Sequence, residues 1–251
     1  MSLGNNISRG IFHFHSRFSF DSISSIQAIA DRLESLDLDF AVLTDHNDVG
    51  GSIELRKELA RRGSSITVPL AAEYSSSVGD IIVVGIANDL SEMPPFELID
   101  AAKQSGGLVI LPHPFDGHQL SDELIESVDA IEVFNGRSTV HKNSQSEMLA
   151  SQHHKPMIYA SDAHLLQNLG NVIITIPRGI DFESAVRQGK VALETSIFSP
   201  RSDIFYSQVI KSYKKRDLKL FSILLLSLPL NALKRRFPSI FSRLRSIKNK
   251  L

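Results

Sequence analysis

Ile11-Phe12-His13-Phe14-His15-Ser16-Arg17-Phe18-Ser19-Phe20-Asp21 is the stretch on which the reading of this chain turns. It sets two histidines at alternate positions of an apolar run, and a carboxylate six residues after the second. If residues 11–15 form a strand, side chains alternate between its faces, so His13 and His15 point the same way. Paired imidazoles at a strand end make poor core and good first ligands for a transition metal. An isolated His-x-His pair is also compatible with two surface histidines. The rest of the chain decides between these readings.

Working outward, apolar runs alternate with segments of helical period. Strands are expected at Phe40-Ala41-Val42-Leu43, Ile66-Thr67-Val68-Pro69-Leu70, Ile81-Ile82-Val83-Val84-Gly85, Leu108-Val109-Ile110-Leu111, Ile131-Glu132-Val133-Phe134, Pro156-Met157-Ile158-Tyr159-Ala160 and Val172-Ile173-Ile174-Thr175-Ile176. Helices are expected after Ser24 or Ser25, around residues 53–61, over 95–104, near 121–127 and up to about 154. Strands alternating with helices predict a parallel α/β sheet, and this many short units predict a barrel. The reactive residues fall just past the apolar runs: Asp45-His46-Asn47, Glu73, His113, Asn135, and Asp162 with His164. In a β/α barrel the C-terminal strand ends converge on one face, where active sites are built.

The chain has 251 residues, 42% hydrophobic and 22% charged, which suits a globular domain with a full core. It has no cysteine, so disulfides and thiolate metal sites are excluded and any metal must sit on nitrogen and oxygen. The polar N-terminus lacks the apolar core of a signal peptide, and a cytoplasmic location is expected. The net charge of −1 conceals an asymmetry. Residues 210–251 carry twelve Lys and Arg against Asp217 alone, a net +11, which leaves −12 on the rest.

Taken together, His13-x-His15, Asp21, Asp45-His46-Asn47, Glu73, His113-Pro114 and Asp162-x-His164 resemble the PHP (polymerase and histidinol phosphatase) superfamily of metal-dependent phosphoesterases. The resemblance runs from about residue 10 to 200. It implies a distorted seven-stranded β/α barrel around two or three divalent transition ions, Zn, Mn or Fe. By motif, His13, His15, Glu73 and Asp162 would hold the first ion. Glu73 would bridge to a second, shared with His113, and Asp21, His46 and His164 would hold a third. The sequence departs from the family at two places. Ile11 stands where many members have Asp, and Asn135 is the best local candidate where His or Cys often binds the second ion. The implied activity is hydrolysis of a phosphate ester by hydroxide generated on the metals, with a small phosphomonoester, a nucleotide or a nucleic-acid end as substrate. His113, His164 and Asp162 would be catalytic. Arg17 and Arg137 would grip the phosphate, and His118 would line the pocket. The alternative is a non-catalytic metal-binding regulatory or docking module.

Residues 201–251 read as a separate basic, partly apolar helical tail. The uncharged run of 14 residues from Leu220 to Leu233 falls short of the ~20 a membrane span needs. Flanked by Lys211, Lys214, Lys215, Arg216 and Lys219 before it and Lys234-Arg235-Arg236 after it, the run fits a helix lying on an anionic membrane, such as the inner membrane face. Nucleic-acid binding and simple packing against the barrel fit as well. On this reading, removing residues after about 211 leaves the chemistry intact.

Overall fold

The computed structural model describes residues 6–225. It places nine strands in two sheets. The first sheet runs β2-β1-β8-β9, from Phe40–Val42, Ile7–Phe12, Val172–Pro177 and Ala192–Ser196. The second runs β3-β4-β5-β6-β7, from Ala71–Ser76, Gly79–Val84, Leu108–Leu111, Ala130–Asn135 and Met157–Ala160. Seven α-helices of the described residues are α1 (Ile26–Ser35), α2 (Gly50–Arg62), α3 (Pro95–Gln104), α4 (Asp122–Ser127), α5 (Val140–Gln152), α6 (Phe182–Arg187) and α7 (Arg201–Lys214). A short 3-10 turn spans Leu166–Asn168.

Period-two alternation sorts the strand residues into layers. On β4, Ile82 and Val84 join Phe12, Phe40, Ile110 and Ile174 in a core shared by the two sheets. Ile81 and Val83 face outward into a core with Leu98, Leu124 and Ala150 of α3, α4 and α5. Ile11 and Ala41 face the opposite outside, against Ile29, Leu33, Leu55 and Leu59 of α1 and α2. The order is helix, sheet, sheet, helix, with Phe182 of α6 plugging the shared core. The helices start where their caps predict. Ser25 accepts from Ala28 N at the start of α1, and Ser121 from Leu124 N at the start of α4.

Three expectations change. The closed seven-stranded barrel is not formed by continuous ladders. Between the sheets, the described residues pair only through single parallel bridges: Phe14 with Ala163, Phe40 with Thr67, and His46 with Glu73. The sheets are also mixed rather than parallel, since β3 and β4 form a tight antiparallel hairpin and β8 runs antiparallel to β1. Finally, the run at 66–70 is not a strand, because Pro69 cannot donate to a ladder; β3 begins at Ala71. The polar edge strand β9 carried no apolar alternation to announce it.

Candidate metal centre

Strand β1 stops at Phe12, and the two histidines do not converge by simple alternation. His13 takes a left-handed backbone, φ 59°, which turns its side chain to the same inner side as Phe12. Phe14 then returns to the outer core, and His15 faces in. The same device recurs at Asn47 (φ 55°), His113 (φ 27°) and Asp162 (φ 49°). Each such residue costs about 1–3 kcal/mol and persists where the surroundings over-determine it. These four sit at the site end of the strands, where the bridges stitch the sheets. His15 N donates to Ala163 O (2.8 Å), and Asn47 N to Glu73 O (2.9 Å).

The buried side chains around the histidines fix their tautomers. Glu132 Oε2 accepts from His13 Nδ1 at 2.9 Å. Ser19 Oγ donates to Asp45 Oδ1 (2.8 Å), so it accepts from His15 Nδ1 at 3.0 Å. In their neutral form both rings therefore present Nε2 as the lone pair. Asp45 is held in turn by Ser16 N and Ser16 Oγ, at 2.7 and 2.6 Å. A Cβ on Gly51 would come within 1.9 Å of the Asp45 carboxylate, so only glycine fits there.

Both Nε2 atoms lie 3.4 Å from Glu73 Oε2, and Asp162 Oδ1 lies 3.6 Å from that of His13 and 3.4 Å from that of His15. Ligands ~2.1 Å from a tetrahedral ion are separated by ~3.4 Å. Beside them, His113 Nε2 meets Glu73 Oε1 at 3.0 Å. Asp21 Oδ2 meets His164 Nε2 at 2.9 Å and His46 Nε2 at 3.3 Å. Buried polar atoms are normally satisfied, yet His13 Nε2, His15 Nε2, Asp21 Oδ1, His46 Nδ1 and His113 Nδ1 have no hydrogen-bond partner. Orphaned imidazole nitrogens among buried carboxylates are the donor set of a divalent cation, and the residues fit one.

The charges are strongly coupled. Burial alone would lower the His46 and His113 pKa values, but Glu73, joined at His46 by Asp21, outweighs it and raises each to about 9. His15 is lowered to about 3 by burial and by repulsion from His164. Burial opposes ionisation of Glu73 and Asp162, yet neighbouring cations hold both well below the usual carboxylate range, His13 first for Glu73 and Arg137 first for Asp162.

The cluster opens into a cavity of about 310 Å3. Arg137 lines it as expected, its Nη1 2.8 Å from His164 Nε2 and 3.6 Å from Asp162 Oδ1. Asn135 also borders it, whereas Arg17 and His118 fall elsewhere. Arg17 is exposed beside Phe18 and does not border the cavity. His118 stands behind His113, with Nε2 on the carbonyl of Asp80 (2.8 Å). Asn135 is spent on hydrogen bonds rather than offered to a metal. Its Nδ2 donates to Glu132 Oε1 and Asp162 Oδ2, and its Oδ1 accepts from Arg137 N. A register shift between Glu132 and Phe134 in β6 lets Glu132 and Asn135 share one side. Glu132 thus supplies a carboxylate to His13, while Ile11 faces the outer core. Two features were not legible in the sequence. Asp80, which reaches the cavity only through its hairpin pairing with Ser75, lies close to His46 and Glu73. Ile204, Gln208 and Lys211 of α7 form part of the cavity wall. A larger groove of about 760 Å3, beside Arg56 and Arg178, is bordered by none of the orphaned histidines.

A family profile described as PHP-associated matches residues 140–191. A two-domain Bacteroides vulgatus protein containing a predicted PHP-like metal-dependent phosphoesterase superposes with a TM-score of 0.65 at 16% identity, over 82% of this chain and 71% of that one. The chain shares the fold of that PHP-like protein. Other similarities run alongside. PsfC from Pseudomonas syringae PB-5123 superposes with a TM-score of 0.58 at 17% identity, covering 84% of this chain and 99% of its own. Two uncharacterized proteins of Methanocaldococcus jannaschii are similar in sequence. MJ1587 is 27% identical over 137 residues, 49% of this chain and 79% of that protein. MJ0417 is 26% identical over 114 residues, 41% of this chain and 48% of that protein.

Two predictions follow from how this site is held. Glu132→Gln removes the carboxylate that fixes the His13 tautomer, and metal affinity is expected to fall about 10- to 100-fold. Competition with a chromophoric chelator measures it. The second concerns protons. His46 and His113, raised to about 9, carry protons at pH 7 in the metal-free chain, whereas ligation needs the neutral ring. Metal binding should therefore release protons, and affinity should rise from pH 7 to about 9. Calorimetry in buffers of different ionisation heat reads the release. In the metal-free chain, the same groups stabilise the fold fully below their ordinary 6.5, and that contribution fades as pH rises through about 9.

Proposed function

We propose that the protein is a hydrolase, a metal-dependent phosphoesterase acting on a small phosphate ester. One observation supports this above the others. Two imidazole nitrogens each lie 3.4 Å from a Glu73 oxygen and 3.4–3.6 Å from an Asp162 oxygen, beside a cavity that the Arg137 guanidinium lines. On this reading His13, His15, Glu73 and Asp162 hold one ion, Glu73 and His113 a second, and Asp21, His46 and His164 a third, with Zn, Mn or Fe as candidates. When bound, such ions supply positive charge toward phosphoryl oxygens and lower the pKa of water.

The chain's own groups do the rest. Arg137 binds and orients the phosphoryl group, since its planar fork suits phosphate and Ser207 Oγ holds its Nη2 at 2.9 Å. His113 borders the cavity with Nε2 on Glu73 Oε1, and in any state where it is not held by an ion its imidazolium would supply the proton that a leaving alkoxide accepts. The cavity lies at the small end of the ~300–1,000 Å3 range of ligand pockets, which favours a small phosphomonoester over a nucleic-acid end. A panel of phosphomonoesters, diesters and nucleic-acid ends, with Mn, Zn or Fe returned to metal-stripped protein, tests this. Metal-dependent turnover of small monoesters is expected; turnover of none of the panel with any metal would overturn it.

For the tail, we propose an anionic membrane surface as the partner. After a turn at 215–217, residues 218–225 are again helical, with Leu218, Ile223 and Leu225 exposed. No helix of the described residues is long and apolar enough to cross a membrane. The rest of the apolar run, from 226, and Lys234-Arg235-Arg236 lie outside the described residues. Salt-sensitive flotation with anionic but not neutral liposomes is expected.

A further inference from the structure

We infer that α7 is a substrate-binding wall of the site and that its Lys211 is a second cation for the phosphoryl group, beside Arg137. The inference rests on the phosphoesterase reading for its ligand class. Ile204, Gln208 and Lys211 recur at helical spacing, so one stripe of α7 faces the cavity that holds Asp21, His46, His113 and Asp162. Ser207, next to that stripe, takes Arg137. Lys211 makes no ion pair among the described residues. Its Nζ sits 5.0 Å from the centre of the Phe20 ring, a contact that leaves ammonium protons for a ligand. Phe20 also stacks on His46, with centroids 4.4 Å apart and planes 7° apart. Lys211 is thus placed one ring away from the metal cluster, on the cavity side.

The helix is fastened for this task. Lys214 Nζ donates to three carbonyls of the loop that carries Asp21: Arg17 O at 2.8 Å, Ser19 O at 2.6 Å and Ser22 O at 2.8 Å. Lys215 Nζ lies 3.8 Å over Phe20. Three tethers on one helix, to the Asp21 loop, to Phe20 and to Arg137, hold Lys211 in register with the cavity. Asp116, the one carboxylate of the described wall that is neither Asp80 nor a proposed ligand, meets Lys142 and Ser138. An anion entering the cavity therefore meets Arg137, already paired with Asp162, and Lys211, which has no ion pair among the described residues.

The test is calorimetric titration of inorganic phosphate into the metal-loaded full chain. Lys211→Met should weaken phosphate binding about tenfold or more, the scale of one charge-assisted hydrogen bond, and Lys211→Arg should restore most of it. Hydrogen exchange separates binding from scaffolding. Amides of residues 17–22 should keep wild-type protection in Lys211→Met and lose it in Lys214→Met. Wild-type phosphate affinity in Lys211→Met would overturn the inference, as would a metal-loaded wild type that binds no phosphate. If phosphate binds in a Lys211-dependent way but no ester is hydrolysed, the wall stands and the hydrolytic reading fails.

Discussion

Asp162→Asn is expected to lower metal-dependent ester hydrolysis by on the order of 10³-fold or more while leaving the fold cooperative. Asp162 Oδ1 lies 3.6 Å from His13 Nε2 and 3.4 Å from His15 Nε2, the two nitrogens that also face Glu73 Oε2. The amide is isosteric, so packing is preserved, but the negative charge is gone from a pocket where burial magnifies it. The left-handed backbone at 162 tolerates Asn as readily as Asp. Elemental analysis should find at least one ion fewer per chain, and circular dichroism should show an unchanged fold. Full metal content with full turnover would remove Asp162 from the site. Glu73→Gln, which touches both His13 and His113, should lose more metal than Asp162→Asn.

The second large effect concerns the tail. A chain ending at residue 211 should lose about 100-fold or more in kcat/KM on small substrates, although every proposed ligand is still present. The sequence alone led to the opposite expectation. The reason for the change is Lys214, whose ammonium gathers three carbonyls of the Asp21 loop, together with Lys215 over Phe20. Without them the loop that aims Asp21 is released, and a displacement of ~1 Å at a reacting centre can cost ~10²-fold. Full-length and shortened chains compared on one substrate at saturating metal decide it. Unchanged kcat/KM would show that α7 only covers the site.

The sequence by itself determined which residues could bear the chemistry. His13, His15, Asp21, His46, Glu73, His113, Asp162 and His164 announced themselves as polar, titratable side chains placed directly after apolar runs. That placement is a local property, fixed by strand length and by the preference of buried segments for Ile, Val and Leu. The tertiary structure decided everything that depends on residues far apart in the chain. Glu132 reaches His13 across 119 positions through a strand irregularity that no local pattern marks. Asn135 looked like a ligand because it follows a strand, but its amide is saturated by Glu132, Asp162 and Arg137. Arg17 is adjacent in sequence to a ligand loop, yet its side chain points to solvent. The closed barrel was inferred from alternation of strands and helices, which says nothing about which ladders close. The β3–β4 hairpin and the antiparallel β8 left two sheets joined by single bridges. The basic tail read as a separate unit because its charge contrasts with the acidic body. The tail nonetheless returns to the site, Lys214 through three loop carbonyls and Lys211 and Lys215 against the Phe20 ring, contacts between chain segments nearly 200 residues apart that no local pattern marks.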